Sequence, residues 1–171
     1  MTTSQASRAP ESSRTILGID PGPEQSGVVI LQDGRVRLAD VRRNDDVYPL
    51  LRHGFDLIAI EMIASYGMPV GAEVFETCVW IGKFERSAEL AEGATISPRV
   101  VRVPRKDVKL HLCGSPRAKD ANIRQRLIDL LGPQGTKKQP GPTYGVKSHA
   151  WAALAVAVTA AESRTIAVRS T

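Results

Sequence analysis

An apolar run that stops on an acid and is then cut by Pro-Gly most constrains how this chain can fold. Ile16, Leu17 and Ile19 lead into Asp20, and Pro21-Gly22 follow at once. Proline removes a ladder donor and glycine admits backbone angles that other residues avoid, so the strand ends there and presents Asp20 at its rim. A second run, Leu57-Ile58-Ala59-Ile60, closes on Glu61 in the same manner. It lacks the alternation of a strand with one wet face, so it is read as a central parallel strand buried on both sides. Two hard oxygen donors on neighbouring strand ends point to a Mg²⁺ or Mn²⁺ site.

The remaining elements follow from periodicity and punctuation. A strand, turn and strand are expected from Thr15 to Leu31, with a hairpin at Gln32-Asp33-Gly34 and a third strand from Arg35 to Val41. Asn44 to His53 reads as a short helix, capped by Asn44 and stopped near Gly54. The fourth strand is Leu57 to Glu61, and a loop covers 64–71. A long helix is predicted from Ala72 to Ala91, with Val74, Cys78, Ile81 and Phe84 on its core face. Arg99 to Val103 is the fifth strand, and Pro104 opens a helix through Leu112 that Gly114 closes. Asp120 caps a helix to Leu131, a polar loop spans Gly132 to Gly145, and the last helix runs from Lys147 to Glu162. Three antiparallel strands joined through a helix to parallel ones make an α/β fold with a mixed five-stranded sheet flanked by helices, in the order of the ribonuclease H-like fold.

A length of 171 residues suits one domain, placed at 15–163, with tails at 1–14 and 164–171. The first tail is rich in Ser, Thr, Ala and Pro and has no apolar stretch, so it is read as disordered and not as a signal peptide. The longest apolar run, Trp151 to Ala161, is too short to span a bilayer, so no membrane is expected and the cytoplasm is the default compartment. Cys78 and Cys113 are read as buried thiols, and His111 with Cys113 lacks the second ligand pair that zinc needs. The formal charge of +5, with an isoelectric point near 9.5, favours a polyanionic partner.

Gly18-Ile19-Asp20-Pro21-Gly22, the Ile60-Glu61 strand end and the closing His149-Ala150-Trp151-Ala152-Ala153-Leu154-Ala155-Val156-Ala157 resemble RuvC-type Holliday junction resolvases. The similarity extends through Val108-Lys109, Gly114-Ser115 and Ala118-Lys119-Asp120. It implies a homodimeric endonuclease that resolves four-way DNA junctions by paired phosphodiester hydrolysis. It also implies that Asp20, Glu61 and His149 hold two divalent ions, about 4 Å apart in such sites. Where the family has an aspartate three residues after this histidine the chain has Ala152, which leaves the second ion weakly held, completed by water and DNA phosphate, or absent. Imidazole suits borderline metals better than Mg²⁺, so greater activity with Mn²⁺ is expected.

A basic stretch gives the second constellation. Arg99, Arg102, Arg105, Lys106, Lys109, Arg117, Lys119, Arg124 and Arg126 are opposed only by Asp107 and Asp120. Such groups supply salt-sensitive, sequence-independent affinity for phosphates. Arg105, Lys106, Lys109, Arg117 and Lys119 are the DNA-binding candidates. The resemblance places Lys109 and Lys119 near the scissile phosphate and gives Lys119 a catalytic role. Tyr66, just after Glu61, matches an aromatic that wedges into unstacked bases, where stacking is worth about 1–3 kcal/mol per base. The long helix, through Val79, Trp80, Lys83 and Phe84, is the expected dimer interface.

Other functions share these features. A nuclease acting on other branched DNA or on RNA–DNA hybrids would use the same acids. A DNA-binding module of little or no activity would account for Ala152. A sugar-kinase-like nucleotide binder also ends its first strand in Gly-Ile-Asp, but the duplicate domain it needs does not fit in this length.

Overall fold

Two strand ends that carry acids, and the residue just past a third strand, come together because of how the strands pair. The computed structural model of the protein describes residues 14–64, 67, 69–90 and 98–163, so Tyr66 and nearly all of both tails lie outside the described residues. Strand β1 (Thr15–Asp20) pairs antiparallel with β2 (Gln25–Gln32), which pairs antiparallel with β3 (Arg35–Arg43). On its other side β1 pairs parallel with β4 (Leu57–Met62), and β4 pairs parallel with β5 (Arg99–Pro104). The sheet order is therefore β3-β2-β1-β4-β5, the mixed five-stranded sheet expected. Ile19 stands opposite Ile60 in the register, so Asp20 and Glu61 are the next residues along two adjacent strands. Glu61 in turn stands opposite Val103, two residues before the helix that begins at Arg105.

Helices cover both faces. On one side α1 (Asn44–Leu51) and α2 (Ala72–Glu89) pack with Leu17, Ile19, Ile58 and Ile60 into one core. On the other, α3 (Arg105–Cys113), α4 (Asp120–Leu131) and α5 (Ala150–Glu162) pack with Ile16, Val29, Ala59 and Val103 into a second. Alternate residues of β1 and β4 thus feed opposite cores, and so β4 is apolar without a break. Asp33 (φ 50°) and Gly34 (φ 73°) make the tight β2–β3 hairpin that their sequence anticipates.

Several local expectations change. Asn44 does not cap α1: it is fully buried, accepts from Ser26 Oγ at 2.7 Å and donates to the Gly22 carbonyl at 2.9 Å. Its amide serves two partners across the turn after Asp20, which a helix cap could not reach. Asp120 likewise gives its carboxylate to Arg105, and the Asn122 side chain accepts the Lys119 N–H instead. Cys78 is exposed, because Thr77 takes the inward position on α2 with Ile81, Phe84 and Ala88, and Cys113, at the end of α3, is half-buried.

Helix α5 is built to lie close to the sheet. Its inward residues are small, with Ala150, Ala153 and Ala157 among them, and it crosses β1 and β2 at their glycines. A Cβ on Gly18 would meet Ala157 Cβ at 2.8 Å and press on the Ala153 carbonyl, and one on Gly27 would overlap the backbone of His149. Close approach at these two glycines holds the start of α5 over the end of β1. Gly27→Ala should therefore destabilise the fold by about 1–3 kcal/mol in urea titrations, as overpacking does. Gly54→Ala, which meets nothing within 4 Å, should stay within about 0.5 kcal/mol of the parent.

Candidate functional site

The carboxyl ends of parallel strands, where chain direction in the sheet reverses, are the usual place for a ligand crevice. Here β1 separates an antiparallel neighbour from a parallel one, and a cleft of about 430 Å³ opens at its carboxyl end. Asp20 and Glu61 lie on its floor. Arg105 and Asp120 form one wall and His149 with Ala152 the other. Arg124 stacks over the Trp151 ring, 4.9 Å from its centre, and both line the rim.

Two sets of contacts organise the charges. His149 Nδ1 lies 3.0 Å from Asp20 Oδ2. The histidine is held there by Ser148, whose φ of 44° turns the chain sharply into α5. Across the cleft, Arg105 donates from Nη1 to Glu61 Oε1 at 2.7 Å and from Nη2 to Asp120 Oδ1 at 2.5 Å. The second oxygen of Glu61, Oε2, is buried and has no hydrogen-bond partner.

This enclosure shifts the acids. Burial raises the pKa of Asp20, and the hydrogen bond and charge of His149 only partly oppose it. Glu61 is pushed up to about 7, first by burial and then by the neighbouring Asp20, against the pull of Arg105. Burial works against the charge on Arg105, but Glu61 and Asp120 outweigh it and hold the guanidinium proton more firmly. Carboxyl groups with such environments in a cleft are the ordinary mark of a functional site.

The structure brings together Asp20, Glu61, His149 and Arg105 of the expected residues. Lys106 and Lys109 lie on α3, and Arg117 and Lys119 on the segment leading into α4, outside the cleft lining. Lys119 immediately precedes the cleft-lining Asp120 and is exposed. Glu73 and Glu76 are exposed on α2 as solvated residues. Among the described residues, no group of three or more His, Cys, Asp or Glu is arranged to hold a metal ion. The acids face one another but are engaged, Asp20 by His149 and Glu61 by Arg105.

Sequence reasoning underrated Asp120 and missed the bridge that Arg105 makes. The signal was present in the parallel pairing: β5 runs beside β4, so the residue just past its end emerges next to Glu61.

No protein-family model matches the sequence, and no curated protein matches it either. Solved structures do. The structure of Thermus thermophilus RuvC in complex with Holliday junction substrate is 20% identical, with a TM-score of 0.66, covering 86% of this chain and 93% of that one. A further Thermus thermophilus RuvC structure is also 20% identical, with a TM-score of 0.63 and the same coverage. At that identity the likeness is one of fold. The chain has the fold of RuvC, and its mixed sheet and flanking helices are the ribonuclease H-like arrangement that the order of its elements implies.

Proposed function

We propose that this protein is a metal-dependent endonuclease that resolves four-way DNA junctions by paired strand cuts. The observation that carries the reading is the cleft itself, in which Asp20 and Glu61, from adjacent parallel strands, face His149 from α5. The donor set fits a divalent cation. Two carboxylates and an imidazole line one cleft, engaged by the contacts of His149 with Asp20 and of Arg105 with Glu61 and not yet arranged around an ion. Glu61 Oε2 is a buried acceptor with no partner, a costly state that a cation would relieve. Asp20, Glu61 and His149 would hold Mg²⁺ or Mn²⁺, which supplies activation of water and neutralisation of charge in phosphodiester hydrolysis. Ala152 on the same wall offers no ligand, consistent with a weakly held second ion.

The protein's own groups do the remaining work. Lys106, Lys109 and Arg117 attract backbone phosphates toward the Arg105 wall, and Lys119 neutralises the phosphate being cut. Tyr66 is assigned to stacking on unpaired bases at the crossover. The molecule works in the cytoplasm, where its substrate lies, and among the described residues no helix is long and apolar enough to cross a membrane.

A second copy of the chain completes the assembly, since a junction of near two-fold symmetry needs two sites. Phe84 cannot serve in the interface, because it is wholly buried against Trp80 and Tyr48. The outward face of α2 carries Phe75 and Val79, 62% and 55% exposed, with Leu90 beyond its end and Gly82 open between them. That stripe is the proposed contact, with Lys83 over the Trp80 ring at its margin. Val79→Glu and Phe75→Glu should convert dimer to monomer in analytical ultracentrifugation without loss of helix content. Dimers persisting in both variants would remove α2 from the interface.

The direct test incubates the protein with a mobile synthetic four-way junction. Symmetric nicks are expected with metal, faster with Mn²⁺ than with Mg²⁺, and at least 100-fold slower in Asp20→Asn and Glu61→Gln. Equal rates with both metals would count against ligation by His149. Junction binding without cleavage under any metal would favour the DNA-binding module that Ala152 allows.

Glu61 also sets a pH dependence. Its pKa in the fold is about 7 against 4.5 when free, so the unfolded chain releases this proton first as pH rises. Metal-free stability should therefore fall between about pH 4.5 and 7, by roughly 3 kcal/mol at most from this group. Glu61→Gln should flatten that decline and be the more stable protein at pH 8, by roughly 1–3 kcal/mol in chemical denaturation. Parallel profiles for the two proteins would show that Glu61 is not the group responsible. Cleavage, which needs the ionised carboxylate of the folded protein, should rise with pH around 7.

A further inference from the structure

Arg105 is placed where a cation would be useful and holds the acid that a cation would need. Its guanidinium spans Glu61 at 2.7 Å and Asp120 at 2.5 Å, linking the end of β4 to the start of α4 across the cleft. The Glu61 side chain is 8% exposed and that of Arg105 31%, so the acid is enclosed while the base can be reached from solvent. Lys106 follows directly on the exposed side of α3, and Lys109 lies one turn on. A phosphate drawn to that surface therefore meets Arg105 before it meets Glu61. Guanidinium binds phosphate in the same forked manner in which it binds carboxylate, so the two compete for one group.

We propose that Arg105 is a substrate-released latch: it occupies Glu61 in the resting protein, and a DNA phosphate that takes up its guanidinium frees Glu61 to hold a divalent ion. The proposal rests on the nuclease reading and adds to it an order of events. Metal and DNA then bind with positive coupling, and the free protein binds metal poorly. By linkage the same factor applies in both directions. A latch of this kind would keep metal-activated chemistry away from a protein that has no junction in its cleft.

The test measures coupling and not cleavage. Mn²⁺ binding to the full chain is titrated by calorimetry with and without a four-way junction, at low temperature and with strand integrity checked on a denaturing gel. The wild type should bind Mn²⁺ about tenfold more tightly when the junction is present, within the usual range of coupling between sites. In Arg105→Gln the free protein should bind Mn²⁺ more tightly than the wild type does, and the gain from DNA should fall to about threefold or less. Arg105→Lys keeps the charge but cannot fork between two carboxylates, and it should lose coupling in the same way. Circular dichroism establishes that each variant is folded. Equal coupling in all three proteins would overturn the latch and leave the nuclease reading intact. So would full coupling in Arg105→Lys with loss in Arg105→Gln, because charge alone would then be the cause. Failure of the wild type to bind Mn²⁺ in either state would overturn both.

Discussion

Two carboxyl groups at the ends of adjacent parallel strands, enclosed in one cleft, form an arrangement that repels itself. The sheet imposes it. Register carries Ile19 against Ile60, and the next residue on each strand is an acid. Water cannot shield the pair fully, because Glu61 is buried at the cleft floor. Everything around them answers that charge: an imidazole on Asp20, a guanidinium on Glu61 and a raised pKa on both acids. An acid pair that served only to hold a fold together would be an expensive choice, since an apolar pair of similar size would stabilise the sheet without these partners. That cost is the physical reason to read the cleft as functional.

The imidazole reaches Asp20 only because a helix can lie unusually near the sheet. Side chains on β1 and β2 would hold α5 away, and Gly18 and Gly27 remove them where it crosses. Alanines on the helix continue the same economy of space. Nothing in the proposed chemistry asks for glycine at these positions; the demand comes from packing and reaches the site through the helix axis. Ala152 falls on this helix beside the cleft, so its methyl group leaves that part of the wall uncharged without altering the approach that the glycines allow.

Much of the architecture was legible in the chain because its signals are local. The acid–Pro–Gly ending, the Asp-Gly hairpin and the unbroken apolar run of β4 each act over a few residues, and each names an element and an end. Asp20 and Glu61 could be paired from this, since central parallel strands end on the same side. What stayed hidden depends on partners remote in sequence. Asn44 reads as a cap until Ser26 and Gly22 are seen to claim its amide. Asp120 reads as a cap for the same reason, and Arg105 as one more surface base, until the pairing of β5 with β4 sets one between Glu61 and the other. Helix α2 departs from its pattern at one position: Ile81 and Phe84 face the core as predicted, but Thr77, its hydroxyl bonded to the Glu73 carbonyl, takes the inward place expected of Cys78.

The sheet also separates two tasks that the proposed enzyme must keep in fixed relation. Ile16 and Ala59 face the core under α5, while Leu17, Ile19, Ile58 and Ile60 face the core under α2. The cleft is built from the first layer and the carboxyl ends of β1 and β4; the apolar outer stripe belongs to the second. Packed layers lie about 10 Å apart and deform little, because interiors are as dense as organic crystals. A copy bound on the α2 face is therefore connected to the acids through strands and not through loops. Symmetric cutting requires two catalytic centres at a constant separation, and a stiff sheet between interface and cleft supplies that constancy. A contact made through the polar segment between α4 and α5 would press directly on Ser148 and His149, which line the cleft, and so would disturb the site it was pairing. For this reason the α2 face is the stronger candidate for the surface across which two such clefts are paired.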